Sequence, residues 1–486
     1  MTLFSSIQHL KNTSLSYRGY GIPISDNESI LKDLRETLTV QSNSQGYVSN
    51  PNSNKFSVYM ESSKKIYIPK HYGLKHFGLP DTNTICDGDE MRNNVSFVGE
   101  IRNNQIDPVN AYLKHAKDPL HMGGILELPP GWGKTVIALY LAATLHKKTL
   151  VVVHKDFLLK QWKERISQYI PEAIVGIIKQ SKCESDGCDI VIASLQTICL
   201  RDFKDNTFGM VIFDECHHMG AQVFSQAFHK MNFRYSLGLS ATVNRTDGLT
   251  KVFKWFLGDI VFKAKRNKDE QKALTVEMIK YVKSDPIYNG ECLLYNGKPN
   301  VAKMINNICS FSLRTDLICD KIADVLKKEP NRNILILSDR RQHLIDIHDT
   351  LHNRNEIDTF LMGFYVGGMK TENLQLSETK QILLGTYNMV SEGFDLPKLD
   401  TLIMTTPKSN VEQSVGRIQR KSMKDRLYTP LVIDIFDDFS VFGNQAKKRY
   451  TFYKKSGFHI IGGDDHFEKT KDTFKLNGKS LFILES

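Results

Sequence analysis

Three groups of residues have the types and spacing for phosphoryl chemistry. The first is Gly131-Trp132-Gly133-Lys134-Thr135, set between the apolar run Gly124–Leu128 and a helix-prone Val-Ile-Ala-Leu-Tyr-Leu-Ala-Ala. Glycine there lets the backbone turn sharply and approach an anion with no Cβ in the way. The N–H groups of the turn and first helical residues then converge on one spot, aided by the helix dipole. Lys134 supplies a cation for the β- and γ-phosphates, and the Thr135 hydroxyl suits Mg²⁺. The longer pattern G-x-x-x-x-G-K-T is not met, because Leu128 stands at its first glycine. The second group is Asp214-Glu215, closing the apolar run Met210–Phe213. Asp214 is suited to hold Mg²⁺, largely through its water, and Glu215 to orient and deprotonate an attacking water. The third is Gln413–Arg420, in which Arg417 and Arg420 are three apart and share a face of any helix. Arginine stays charged and forks onto phosphate oxygens.

Such residues need a scaffold that brings distant segments to one edge. From Gly99 to about Phe262, short Val/Ile/Leu-rich runs alternate with amphipathic stretches: Gly124–Leu128, Thr149–Val153, Ile174–Ile178, Asp189–Ser194, Met210–Asp214 and Ser236–Ser240. Their lack of apolar–polar alternation fits parallel strands covered on both faces. Between them, Leu159, Trp162 and Ile166 fall at helical spacing. The fold class expected is therefore α/β, doubly wound, with ligands at the carboxyl ends of the strands. A second series follows at Asn333–Ser338, Phe364–Val366, Gln381–Thr386, Thr401–Thr405 and Leu431–Ile435, with no phosphate loop of its own. The expected organisation is an accessory module over 1–90, a first α/β domain over 91–262, a connector over 263–325, a second α/β domain over 326–445 and a tail over 446–486. In the accessory module, Phe56–Met60 and Lys65–Pro69 form a plausible hairpin. Tyr67, Tyr72 and His76 beside Lys64, Lys65, Lys70 and Lys75 either stack on bases or lie under lysine stems. Two arginines offered by a domain without a cradle suggest a site completed when the domains close.

The chain has 486 residues, 41% of them apolar, and no run of roughly 18 consecutive apolar residues of the kind that spans a membrane. Its first residues lack the basic-then-apolar layout of a signal peptide, which points to an intracellular, not secreted, protein. Eight scattered cysteines, with no second pair at zinc-ligand spacing beside Cys183 and Cys188, read as reduced thiols. The net charge of +10 leans toward a polyanionic partner, although a solvated surface explains it nearly as well.

The order of these motifs resembles superfamily 2 DExH-box helicases, which carry two RecA-like domains in tandem. Gln105, in Ile101-Arg-Asn-Asn-Gln105, stands where the family's adenine-reading glutamine lies, though Asn103-Asn104 departs from the pattern. Gly131–Thr135, Asp214–His217 and Ser240–Thr242 match the first three motifs, Gly385–Asp395 the fifth and Gln413–Arg420 the sixth. The resemblance implies ATP and Mg²⁺ as cofactors, with Gln105, Gly131, Gly133, Lys134, Thr135, Gly393 and Asp395 binding nucleotide and Thr135 and Asp214 the metal. Lys134, Asp214, Glu215, Gln413, Arg417 and Arg420 would be catalytic. Lys155, Ser194 and Thr386 would touch the phosphates of a nucleic acid, DNA first; each taken alone is more often a capping or surface residue. Leu237–Gly248 is similar to the XPB-like transcription and repair branch, with Val243 where proline is usual. Gly363–Lys370 and Arg449–Lys455 are similar to helicases of large DNA viruses, iridoviruses among them, and more distantly to the transcript-release helicases of poxviruses. Transcription or repair machinery is then the implied partner. A double-strand translocase that does not separate strands remains the alternative, as does an ATP-gated binding subunit, although Lys134, Glu215 and Arg417 are all present. A restriction-enzyme motor would need a nuclease constellation in the termini, and none is evident.

Overall fold

The computed structural model describes residues 10–25, 27–41, 55–129, 131–201, 208–216, 219, 221–241, 248–264, 274–391, 394, 396–421 and 425–467. The chain divides into two compact units, Met1–Lys265 and Arg266–Ser486.

Among the described residues, the main sheet of the first unit has eight strands. In spatial order they are Lys182–Cys183, Val175–Lys179, Ile190–Ser194, Thr149–Val153, Met210–Phe213, Tyr235–Ser240, Gly123–Glu127 and Ile260–Lys263. All neighbours run parallel except the two-residue Lys182–Cys183 edge, which is antiparallel. Alternate side chains feed two separate cores, as a doubly wound sheet requires. Ile125, Leu150, Val152, Val211 and Phe213 face one, with helices Ala221–Phe228 and Thr250–Leu257. Leu126, Val151, Val153, Ile190 and Ile212 face the other, with helices Asn103–Lys117, Lys134–Leu145 and Asp156–Tyr169.

The N-terminal segment does not stand apart from this sheet. It forms a five-stranded sheet in the order Met60–Glu61, Lys65–Ile68, Gly19–Pro23, Ser14–Ser16, Thr82–Asn83. The hairpin is shorter than its sequence suggests, because Lys55–Ser57 pairs with Thr39–Gln41 instead. Helix Lys70–Phe77 then binds the main sheet itself as well as its covering layer. Lys70 Nζ donates to the Arg234 carbonyl at 2.8 Å, His71 Nε2 meets Ser236 Oγ at 3.0 Å, and Lys75 pairs with Asp259 at 2.7 Å. Tyr72 is buried edge-on to the Trp255 ring, so it presents no face to a base. Leu15, Ile22, Ile66 and Phe77 share one continuous core with Phe224 and Phe253. So small a sheet buries too little apolar area by itself, and the shared core supplies the remainder.

Among the described residues, the second unit is built on seven parallel strands in the order Met362–Tyr365, Ile382–Thr386, Ile334–Ser338, Thr401–Met404, Leu431–Asp437, Thr275–Tyr281, His459–Ile461. Two of these lie in stretches read from the sequence as connector and tail. Thr275–Tyr281 pairs along its whole length with Leu431–Asp437, and helices Val301–Ser310 and Ser312–Lys328 follow it. The 263–325 stretch is thus mostly domain rather than connector, and residues 446–461 likewise finish the sheet. Ionic clamps lock this arrangement. Arg314 donates twice to Asp437, at 2.8 and 2.9 Å, and once to the Thr405 carbonyl at 2.6 Å; Arg449 donates twice to Asp434, at 2.8 and 2.9 Å.

His343 is fully buried beside Ser338 Oγ, and burial, with the Arg314 charge, pushes its pKa down to about 3. A folded-state pKa below the unfolded value means that the unfolded chain takes up the proton first. Stability should therefore fall as pH drops from about 6.5 toward 3, by up to about 1.4 kcal/mol per pH unit from this group. Thermal melts from pH 8 to 5 should show a shallower acid slope for His343→Gln than for the parent; identical slopes would remove His343 as a source.

Candidate functional site

The phosphate loop leaves the sheet at Glu127, and the Leu128 N–H donates to the Ser240 carbonyl at 2.8 Å. The adjacent strand, Tyr235–Ser240, therefore fixes where the loop begins. Gly131 and Gly133 have φ of +87° and +73°, the left-handed region that glycine enters without strain. At Gly133 a Cβ would also lie 2.5 Å from Gln105 Nε2, so that amide would have to shift. Helix Lys134–Leu145 starts immediately after it, with Lys134 and Thr135 in its first turn. The Gln105 side chain is 2% exposed; it donates to the Trp132 carbonyl at 2.8 Å and accepts from the Arg102 N–H at 2.9 Å. Its amide thus ties the phosphate loop to the start of helix Asn103–Lys117.

Asp214 and Glu215 follow the Met210–Phe213 strand, one strand removed from that of the loop. Lys134 Nζ donates to Glu215 Oε1 at 2.6 Å, the two side chains being 13% and 18% exposed. Glu215 has φ +46°, where a side chain costs about 1–3 kcal/mol. From that backbone position the carboxylate meets the loop's lysine. Asp214 is buried, and its pKa is pushed up to about 6 by burial first and the Glu215 charge second, against Lys134 and the Trp162 indole. Trp162 Nε1 donates to Asp214 Oδ2 at 2.8 Å, a contact that helical spacing alone could not reveal.

The donor set suits a metal–nucleotide: a loop open to close anion approach, a cation at its end, and hydroxyl and carboxylate oxygens from Thr135 and Asp214. Among the described residues no cluster of three or more His, Cys, Asp or Glu could hold a metal unaided. Mg²⁺ is held by few protein oxygens together with phosphates and water, which this set can supply.

Other expected residues sit as follows. Ser194 ends its strand and caps helix Leu195–Leu200, its Oγ accepting from the Thr197 N–H at 3.3 Å. Lys155 precedes helix Asp156–Tyr169, and Thr386 ends its strand in the second unit, each partly buried. In the first unit, parallel order puts Lys155 and Ser194 on the same carboxyl edge as the phosphate loop, toward the opposite end of the sheet. In the second unit, Gln413 lies in the short helix Glu412–Gly416, and a 3₁₀ turn, Arg417–Gln419, follows. Arg417 is 7% exposed and its guanidinium donates to the Val390 and Phe394 carbonyls at 3.1 and 2.6 Å. It braces the preceding motif segment to its own, whereas a phosphate contact was expected of it. Arg420 lies past the turn and is partly buried. Gly393, Asp395, His217 and residues 242–247 lie outside the described residues.

A family model described as "Type III restriction enzyme, res subunit" matches residues 99–245. A protein of Acanthamoeba polyphaga mimivirus, L396, named as an ATP-dependent RNA helicase, is 34% identical over 449 residues, 90% of this chain and 83% of that protein. The 161L protein of Invertebrate iridescent virus 6, named as a helicase, is 28% identical over 386 residues, covering 75% of this chain and 83% of that one. Among solved structures, the helicase domain of Pyrococcus furiosus Hef matches 73% of this chain and 99% of that chain at 16% identity and a TM-score of 0.47.

Proposed function

The chain belongs to the superfamily 2 helicases, as an ATP-dependent enzyme acting on nucleic acid, and from that premise we propose how its residues divide the work. Gly131, Gly133, Lys134 and Thr135 bind the ATP phosphates; Thr135 and Asp214 hold Mg²⁺, which neutralises charge on the phosphates; Glu215 takes the proton of the attacking water. The observation that supports this most directly is the 2.6 Å pair between Lys134 and Glu215, which joins the loop and the carboxylate strand. Gln105 sets the loop and reads adenine only if its amide exchanges a partner. Gln413 and Arg420 meet the γ-phosphate, with Gly393 and Asp395 in the same role by motif position, and Arg417 holds the segment that carries them. Lys155, Ser194 and Thr386 take the phosphates of the strand.

ATP hydrolysis is coupled in this proposal to separation of strands, with DNA as the substrate. The name of the mimivirus relative instead says RNA. Steady-state ATPase measured with single- and double-stranded DNA and RNA, beside displacement of duplexes with defined overhangs, decides both points. ATPase stimulated by duplex without displacement would favour translocation alone, and stimulation by RNA but not DNA would overturn the substrate.

Phosphate contacts position a strand without reading its bases, and binding through them releases counterions. Affinity for nucleic acid should therefore fall steeply between 50 and 200 mM salt, by about ten-fold or more for a handful of contacts, and change little with sequence. A flat salt titration would contradict the track through Lys155, Ser194 and Thr386.

A further inference from the structure

Trp162 lies on helix Asp156–Tyr169, within a packed aliphatic cluster, and is 2% exposed. Leu159 and Ile166, its neighbours on that buried face, carry no side-chain polar atom. A purely space-filling role there is open to phenylalanine or leucine. Tryptophan adds one N–H, and a buried indole N–H needs an acceptor. It reaches the Oδ2 of Asp214 at 2.8 Å, 52 residues away in sequence. The route is short in space. Thr149–Val153, the strand that leads into this helix, pairs directly with Met210–Phe213, the strand that ends at Asp214. Asp214 is itself buried, so an orientation set by the indole is held within the packed interior.

We propose that Trp162 is a positioning residue for the metal–nucleotide site, its indole N–H fixing the orientation in which the Asp214 carboxylate meets the metal. The inference rests on the assignment of Asp214 made above. Outer partners that orient a metal ligand typically cost about 10–100-fold in metal affinity or activity when removed. A hydrogen bond to a buried carboxylate leaves the ligand free to turn once it is lost, and the loss should appear in metal binding itself, before any turnover.

The test uses the full chain with a non-hydrolysable ATP analogue and Mn²⁺ as the probe, free Mn²⁺ being counted by electron paramagnetic resonance. Trp162→benzothienylalanine replaces the N–H by sulfur at nearly the same shape, and Trp162→Phe removes it with part of the ring. Both should weaken Mn²⁺ binding about ten-fold or more, while the benzothienylalanine variant melts at the parental temperature and binds the analogue without metal as the parent does. Parental Mn²⁺ affinity in the benzothienylalanine variant overturns the proposal, including the case where Trp162→Phe alone is impaired, because ring packing would then be the cause. A parent chain that binds the analogue with no Mn²⁺ taken up overturns the assignment of Asp214 itself, an outcome distinct from parental affinity in the variants.

Discussion

Replacing Glu215 by glutamine should leave nucleotide bound and slow its hydrolysis by about 10²–10⁴-fold, the usual worth of a general base. Glutamine keeps the length and shape of the side chain and so leaves the φ +46° backbone as it is. What it loses is the negative charge that accepts a proton and that pairs with Lys134 at 2.6 Å. Lys134→Ala breaks the same pair from the other side but with a different result. It removes the cation meant for the β- and γ-phosphates and leaves Glu215 next to Asp214 with less compensation. Nucleotide affinity and hydrolysis should then both collapse, whereas Glu215→Gln separates them. Binding of a fluorescent ATP analogue beside single-turnover hydrolysis reads the two quantities independently. Rapid turnover by Glu215→Gln would take the base role from Glu215. Parental ATPase in Lys134→Ala would refute the phosphate cradle.

The phosphate loop and the strands around it could be read from the sequence because their signals are local. An apolar run, Gly131 and Gly133 at fixed offsets and Lys134-Thr135 at a helix start each fall within a few residues. The strand Thr275–Tyr281 carries no such signal. Glu277 and Lys280 interrupt its apolar pattern, and its partner strand begins at Leu431, so nothing nearby in sequence marks the pairing. The N-terminal segment gave a similar difficulty: its short β-prone runs were visible, but the core joining Phe77 to Phe224 and Phe253 is made wholly by contacts across the chain. At the site, periodicity placed Trp162 on a buried face without saying what its N–H would meet. The same holds for Arg417. Its spacing from Arg420 suggests two equivalent fingers, and nothing local announces that Arg417 donates to the carbonyls of Val390 and Phe394.

Those two hydrogen bonds lead to the sharpest expected contrast, between Arg417→Ala and Arg420→Ala. Arg417 is nearly buried and donates to two backbone carbonyls, 27 and 23 residues earlier in the chain. Hydrogen bonds involving a charged group contribute about 1.5–3 kcal/mol each, and acceptors left unpaired in a buried place add to the loss. Arg417→Ala should therefore destabilise the second unit by about 2–5 kcal/mol. It should lower ATPase activity together with the melting temperature, and conditions that stabilise the fold should restore part of both. Arg420 as the finger has a different signature. An arginine that reaches the transferring phosphoryl group is worth about three to five powers of ten in rate, or roughly 4–7 kcal/mol of transition-state stabilisation. Because that contact strengthens as charge shifts, Arg420→Ala should lose most hydrolysis with little change in nucleotide affinity. A surface ion pair lost at the same position would cost only about 0–1 kcal/mol and leave hydrolysis nearly untouched. Steady-state ATPase at saturating nucleic acid, set beside calorimetric melts of both variants, separates these accounts. Near-parental turnover in Arg420→Ala removes it from the phosphate. A full loss of turnover in Arg417→Ala with an unchanged melt would return the finger to Arg417, which would then have to leave the two carbonyls it holds.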